Sequence, residues 1–220
     1  MVLLVQDFMR RGALTLSPDA SMFEAMRLCH DRRIRHIPIL ENDRLVGIVS
    51  DRDIRDVSPP LGDSQRVSTM KEKRVGDVMT PKVVTTHPQD TIVHAAQEMY
   101  ERRINALPVV AEEGLVGIIT TSDVMRALVT FSGGIEPGVS RIAVRARKPG
   151  VLADVAGIIR EQGVDVFSVL SSPQKVSAYD RTLLFHLFIK DPSSVVRSLE
   201  GLGYEVSWSD TTVPSDEVAR

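Results

Sequence analysis

Leu45-Val46-Gly47-Ile48-Val49-Ser50-Asp51-Arg52-Asp53 is matched, seventy positions on, by Leu115-Val116-Gly117-Ile118-Ile119-Thr120-Thr121-Ser122-Asp123. The match extends outward in both directions. Val5-Gln6-Asp7-Phe8-Met9 falls on Val75-Gly76-Asp77-Val78-Met79, and Thr15-Leu16-Ser17-Pro18 on Thr85-Thr86-His87-Pro88. Arg32-Arg33-Ile34-Arg35-His36-Ile37-Pro38 falls on Arg102-Arg103-Ile104-Asn105-Ala106-Leu107-Pro108. No gap is needed between Val5 and Arg55, so the chain carries an internal repeat, the signature to be sought before any other.

Each copy reads as strand, helix, strand, strand, helix. Met22, Ala25, Met26 and Cys29 lie at i, i+3, i+4 and i+7, one apolar helical face, repeated by Ile92, Ala95, Ala96 and Met99. Ser21-x-x-Glu24 is a capping box at the first of these helices. The short apolar strands Ile37–Leu40 and Leu45–Val49 are joined by the polar turn Glu41-Asn42-Asp43-Arg44, and Leu107–Val110 and Leu115–Ile119 by Ala111-Glu112-Glu113-Gly114. A unit of about fifty residues buries little surface alone, so the copies are expected to pack face to face with pseudo-twofold symmetry. The expected organisation is repeat one at 1–58, a Pro/Gly/Ser-containing linker at 59–74, repeat two at 75–131 and a second linker at 132–138.

Val-x-Asp-x-Met, Thr-x-x-Pro, Ile-x-x-h-Pro (h apolar) and Gly-Ile-h-[Ser/Thr]-x-x-Asp, each present twice, resemble the motifs of a pair of cystathionine-β-synthase (CBS) domains. Such pairs have two clefts that commonly bind adenosine-containing ligands. The resemblance implies that Asp53 and Asp123 hold ribose hydroxyls and that Ser50 and Thr120 face phosphate. It places Ile34, His36, Pro38, Ile104, Ala106 and Pro108 beside an adenine, with Thr15 and Thr85 near the same base. Arg52 and Ser122 occupy equivalent positions at the two clefts. The chemistry is consistent, since a carboxylate accepts charge-assisted bonds from a diol and free N–H groups at a helix start suit an anion. Ser-x-x-Asp and Thr-x-x-Asp are also plain capping boxes, and that reading stays open beside the first. The implied regulatory ligand is AMP, ADP, ATP, NAD or S-adenosylmethionine, with no cofactor required.

The last third follows a different pattern. Ile142, Val144 and Ala146 alternate with polar residues as a strand, and Pro149-Gly150 turns into a helix faced by Val151, Leu152, Val155, Ile158 and Ile159. Val164–Ser171 and Arg181–Lys190 read as two strands, Val195, Val196 and Leu199 as a helix face, and Tyr204–Trp208 as a last strand. The order βαββαβ is that of a ferredoxin-like sandwich over 139–210, with a tail at 211–220. Val144-Arg145-Ala146-Arg147-Lys148-Pro149-Gly150-Val151-Leu152 resembles the opening of an ACT domain, which implies an amino acid or another small metabolite at Lys148, Pro149, Gly150, Val151 and Leu152. The usual loop has an acid before Pro-Gly, where this chain has Lys148. The expected fold is thus α+β, tandem CBS repeats followed by an ACT domain. This order is similar to the acetoin-utilisation protein family of bacteria, which implies a role in acetoin metabolism.

Net charge is −2 and no basic stripe stands out, which argues against nucleic acid as a partner. No apolar run approaches a membrane span, and Met1–Val5 is too short for a secretory signal. The single cysteine excludes an internal disulfide framework, and a reducing cytoplasm is expected. Cys29 aligns with Met99 on a buried face and reads as a core thiol, no two histidines fall at metal-ligand spacing, and no nucleophile–base pair assembles. The leading expectation is a non-catalytic, homodimeric regulator of an unidentified partner in carbon metabolism. A ligand-free interaction module and an enzyme acting on acetoin or a nucleotide are the alternatives.

Overall fold

The computed structural model describes residues 3–60, 62–133, 137–173 and 181–209, so parts of the second linker and the tail at 211–220 lie outside the described residues. The chain divides into two compact units, Met1–Ala127 and Leu128–Arg220.

In the N-terminal unit, α2 (Met22–Arg32) starts at Ser21, whose hydroxyl accepts from Glu24 N at 3.2 Å while Glu24 answers to Ser21 N at 2.7 Å. The capping box read from sequence is therefore made. β2 (His36–Glu41) and β3 (Arg44–Ser50) form an antiparallel hairpin whose turn residues Asn42 and Asp43 both have positive φ, as a two-residue primed turn requires. α5 (Ile92–Arg102), β4 (Ala106–Ala111) and β5 (Gly114–Thr120) repeat this arrangement, down to a register shift after Ile39 in one hairpin and after Val109 in the other. The helices α3 (Asp51–Asp56) and α6 (Thr121–Phe131) follow β3 and β5 directly.

Two features differ from the sequence reading. The strand expected at the head of each copy is reduced to one parallel bridge, Leu16 to Ile39 and Thr86 to Val109, because Pro18 and Pro88 cannot donate to a ladder two residues later. Within the segment read as linker, Arg66–Glu72 form helix α4 and bury Met70 completely in the first copy's core.

The larger finding is a reciprocal exchange. The leading segment of each copy packs into the other one. α1 (Val5–Phe8) leads into β1 (Arg10–Arg11), which pairs with β5 through Arg10–Ile118 and Arg11–Gly117. Val5 N donates to Asp90 O at 2.9 Å, and Val5 and Met9 join the second core with Ile92, Leu107 and Ile119. In the opposite direction, Val75 N donates to Ala20 O at 2.8 Å, and Val75 joins the first core with Met22, Ile37 and Val49. Thr80 exchanges backbone hydrogen bonds with Ile48, at 2.9 and 3.1 Å. Gly47 and Gly117 make room for the visiting methionines. A Cβ on Gly47 would collide with Met79 Sδ, and one on Gly117 would meet Arg10 O at 2.6 Å and Met9 Sδ at 3.1 Å.

The C-terminal unit is a four-stranded antiparallel sheet of β6 (Val139–Ala146), β7 (Val166–Pro173), β8 (Arg181–Phe188) and β9 (Val206–Ser209), in the order β7-β8-β6-β9. Helices α7 (Val151–Glu161) and α8 (Ser193–Gly201) cover one face, closing a core of Ile142, Val144, Phe185, Leu187, Val155, Ile159 and Leu199. Leu152, read as part of the apolar face of α7, is 45% exposed, since Val151, Val155 and Ile159 already complete the stripe. Gly150 caps α7 with φ +83°, a conformation that disfavours any side chain. On the helix-free face His186 is only 1% exposed, with its Nδ1 2.8 Å from Ser168 Oγ, and its register partner on β6 is Arg141.

Two expectations follow. Gly117→Ala should cost about 1–3 kcal/mol by denaturant unfolding, and more than Gly47→Ala, because it strikes backbone where Gly47→Ala strikes a rotatable sulfur. Equal stability of Gly117→Ala and wild type would count against the interlock. Burial, aided by Arg141, lowers the His186 pKa below its ordinary 6.5. The neutral ring is therefore favoured in the folded state, and its contribution is present above pH 6.5 and lost as pH falls below it. The C-terminal unit should lose stability between pH 7 and 5, with a shallower slope in His186→Gln. Identical slopes would disprove this assignment.

Candidate functional site

The sequence places the polar residues at the ends of strands, and the exchange decides which ends meet. A crevice of about 170 Å³ opens between the two copies. From the first come Ile34 and His36, just after the helix α2 ends with Arg33 in the left-handed region at φ 52°. From the second come Ile118, Thr120, Ser122 and Asp123, at the junction of β5 and α6. The cations Arg10, Arg33 and Arg35 complete the wall, and Arg35 Nη2 reaches across to donate to Ser122 Oγ at 3.4 Å.

Asp123 is fixed on both oxygens. Its Oδ2 accepts from Thr120 N at 3.0 Å and from Thr120 Oγ1 at 2.7 Å, and its Oδ1 from Arg126 Nη2 at 3.2 Å. At the equivalent position Asp53 Oδ2 accepts from Ser50 N at 2.8 Å and Ser50 Oγ at 2.7 Å, and Ser50 Oγ accepts from Asp53 N at 3.3 Å. Both carboxylates thus serve as helix caps in this structure. Burial lowers the His36 pKa, with Asp51 and Asp53 pulling it up and Arg35 down, so the ring is neutral near pH 7.

Of the residues singled out from sequence, Ile34, His36, Thr120, Ser122 and Asp123 meet in this crevice. Thr15, Pro38, Ser50, Arg52, Asp53, Thr85, Ala106 and Pro108 line no part of it. Pro38, Ala106 and Pro108 are buried within β2 and β4, Thr85 is exposed, and Arg52 pairs with Asp56 at 3.8 Å. Ile104 lines a different hollow of about 620 Å³, with Met99, Tyr100 and Arg103. Sequence reasoning missed Arg10, Arg35 and Ile118. Arg35 lay inside a quoted motif, whereas nothing local to Arg10 signals that its strand joins β5.

Cys29 is half-buried, and burial, then Asp51, pushes its thiol up to about 11, which leaves it protonated and unreactive at neutral pH. In the C-terminal unit Lys148 Nζ lies 5.8 Å from the Tyr204 ring centre, beside a hollow of about 210 Å³ that Val151 also lines. Among the described residues no group of three His, Cys, Asp or Glu side chains could hold a metal ion, and no helix is long and apolar enough to cross a membrane.

The model of the CBS domain family matches residues 5–59 and 75–130. Three solved structures share this part of the chain. The CBS domain pair of protein MJ0100, in complex with 5′-methylthioadenosine and S-adenosyl-L-methionine, is 28% identical with a TM-score of 0.51, covering 62% of this chain and all of that one. CBSX2, known from Arabidopsis thaliana, in complex with AMP is 27% identical with a TM-score of 0.50, covering 58% of this chain and 97% of that one. A Vibrio cholerae protein described as an acetoin utilization protein (AcuB) is 35% identical with a TM-score of 0.52, covering 62% of this chain and 98% of that one. Among curated proteins, the chain resembles homoserine O-acetyltransferase of Methanohalobium evestigatum, 30% identical over 58% of this chain and 24% of that one. It also resembles inosine-5′-monophosphate dehydrogenase of Methanocaldococcus jannaschii, 33% identical over 53% of this chain and 22% of that one. The chain therefore spans about a quarter of the length of these curated relatives.

The capping geometry carries its own expectation. Ser50→Ala should destabilise the N-terminal unit by about 1 kcal/mol in denaturant unfolding, since it removes the two bonds made by the hydroxyl, to Asp53 N and Asp53 Oδ2, at the head of α3. An unchanged midpoint would show that the box contributes nothing there.

Proposed function

The chain belongs to the CBS-domain family, of which it carries two copies in tandem, and from that premise we propose that it is a non-catalytic regulatory protein sensing an adenosine-containing ligand at the crevice between its copies. The observation that carries this reading is the convergence of Ile34 and His36 from one copy with Thr120, Ser122 and Asp123 from the other. A ligand seated there touches both copies, so its affinity depends on how they are arranged, and that dependence is what couples binding to a conformational equilibrium. At about 170 Å³ the crevice is smaller than the roughly 300–1,000 Å³ of an enclosed small-molecule site. It suits the ribose and its neighbours, with the rest of the ligand lying along the rim. AMP, 5′-methylthioadenosine and S-adenosylmethionine in the two structural relatives support the choice of ligand class.

Support for a non-catalytic role comes from the company the module keeps. An acyl transfer and a dehydrogenation have no chemistry in common, yet enzymes named for each share this segment as about a quarter of their length. What they share is then better suited to control than to either reaction. The likeness to the Vibrio cholerae protein supports a regulated partner in acetoin metabolism. For the C-terminal unit, the sheet order and the Pro149-Gly150 turn into α7 support an ACT domain with a small metabolite at Lys148–Leu152. Paired sheets and stacked repeats would make the working form a homodimer.

One observation favours a second reading, a ligand-free interaction module. Both aspartates already hold their own helix ends. The two readings part on thermal unfolding with AMP, ADP, ATP, NAD and S-adenosylmethionine. Sensing requires that one of these at a hundred times its Kd stabilise the fold by about 2.7 kcal/mol. Asp123→Ala should weaken that ligand by about 1.5–3 kcal/mol. A flat response to all five leaves the interaction module standing in its place.

A further inference from the structure

We propose that the crevice selects a phosphate-bearing nucleotide over uncharged or cationic adenosine compounds, and that the chain takes one such nucleotide, through Arg10 and Arg35. The inference rests on the reading of the crevice as an adenosine-ligand site and adds the charge class and the number bound.

The two copies differ in charge at equivalent positions of their clefts. The crevice brings Arg10, Arg33 and Arg35 to one wall. Among the described residues none of the three is ion-paired with a carboxylate, so no protein anion competes for them. The acid that faces them, Asp123, is itself engaged by Arg126 at 3.2 Å. Three guanidinium groups without a carboxylate partner around a small opening, each with N–H donors in a fixed plane, match the geometry and charge of a phosphate. They also repel a sulfonium, and they give no added hold on a thioether.

The equivalent positions of the other cleft carry less of this charge. Thr80 stands for Arg10 and Asn105 for Arg35, and only Arg103 repeats Arg33. The cation gained there, Arg52 in place of Ser122, turns to Asp56 at 3.8 Å on an exposed helix face. The difference is built by the exchange of leading segments. Arg10 belongs to the leading segment of the first copy but is fixed to the second by its backbone pairing with Ile118. Arg35, from the first copy, already bends toward Ser122 of the second. Two arginines distant in sequence therefore converge on one cleft, and their counterparts at the other, Thr80 and Asn105, are uncharged.

Isothermal titration calorimetry on the full chain tests this with adenosine, AMP, ATP and S-adenosylmethionine, at low salt and at 0.15 M. Wild type should bind AMP or ATP at least about tenfold more tightly than adenosine, with one phosphate-bearing nucleotide per chain, a gap that narrows as salt rises. The double variant Arg10→Thr, Arg35→Asn, which copies the residues of the other cleft, should bring AMP down to the affinity of adenosine while adenosine itself is unchanged. The single variant Arg35→Asn should fall between. Adenosine binding as tightly as AMP, S-adenosylmethionine binding more tightly, two phosphate-bearing nucleotides per chain, or an unaltered ratio in the double variant would each overturn the selection and leave the adenosine site intact. Absence of binding by all four compounds would instead remove the site on which the selection rests.

Discussion

Two methionine side chains lying over two glycines hold the N-terminal unit in its one arrangement. Met79 sits where a Cβ on Gly47 would be, and Met9 packs over Gly117. The contacts run in opposite directions between the copies, so each is the other's image. Neither copy closes its core from its own residues. Val75 and Met70 complete the first, and Val5 and Met9 complete the second. Small units of this size are marginal alone, and the exchange turns two marginal cores into one cooperative body. Sliding one copy against the other would have to break both backbone pairings, Arg10–Ile118 and Ile48–Thr80, at once.

That constraint positions the crevice. Because β1 is held against β5, the residues just past Met9 are carried to the mouth of the second copy's strand, beside the start of α6. Opposite them, Arg33 in the left-handed region turns the chain sharply out of α2, so that Ile34 and His36 face the same opening. A bulky residue in that conformation costs roughly 1–2 kcal/mol. Arg103 adopts it too, at φ 56°. The strain belongs to the scaffold common to both copies, and the charges that distinguish one cleft are laid over it.

Much of this was legible in the sequence because it is local. The repeat, the hairpins, the capping box at Ser21 and the apolar faces of α5, α7 and α8 each depend on residues within a few turns of one another. The exchange was not legible. It pairs residues 3–12 with residues 88–118, and a separation of that size leaves no period or turn signal to read. Helix α4 was hidden for a related reason, since its contribution to the core is the single side chain Met70 among charged neighbours. The candidate site was read in half. The motif positions Thr120 and Asp123 were found, but no spacing or period in the sequence shows that Ile34 and His36 of the first copy face the acid of the second. His186 lay outside every motif, and its burial against Ser168 comes from pairing of β7 with β8, which no short window records.

The capping role of Asp123 and its proposed role as a ligand group are compatible because they draw on different acceptor sites. A carboxylate offers about four acceptor sites. Thr120 uses two of them at Oδ2, and Arg126 one at Oδ1. One site on Oδ1 is left for a first sugar hydroxyl, and a second one arriving there competes with Arg126, whose side chain is 57% exposed, while the cap stays in place. Arg126 does not end there. The same Nη2 donates to Phe8 O at 2.6 Å, in the exchanged segment immediately before Met9 and Arg10. One guanidinium nitrogen therefore joins the carboxylate of the crevice to the backbone that seats Met9 over Gly117. On the proposed reading, occupancy at Asp123 shifts Arg126 toward Phe8 or releases it, and either change acts on the interlock itself. A ligand is then felt by the contact that fixes the arrangement of the two copies, which is the differential interaction that a regulatory response requires.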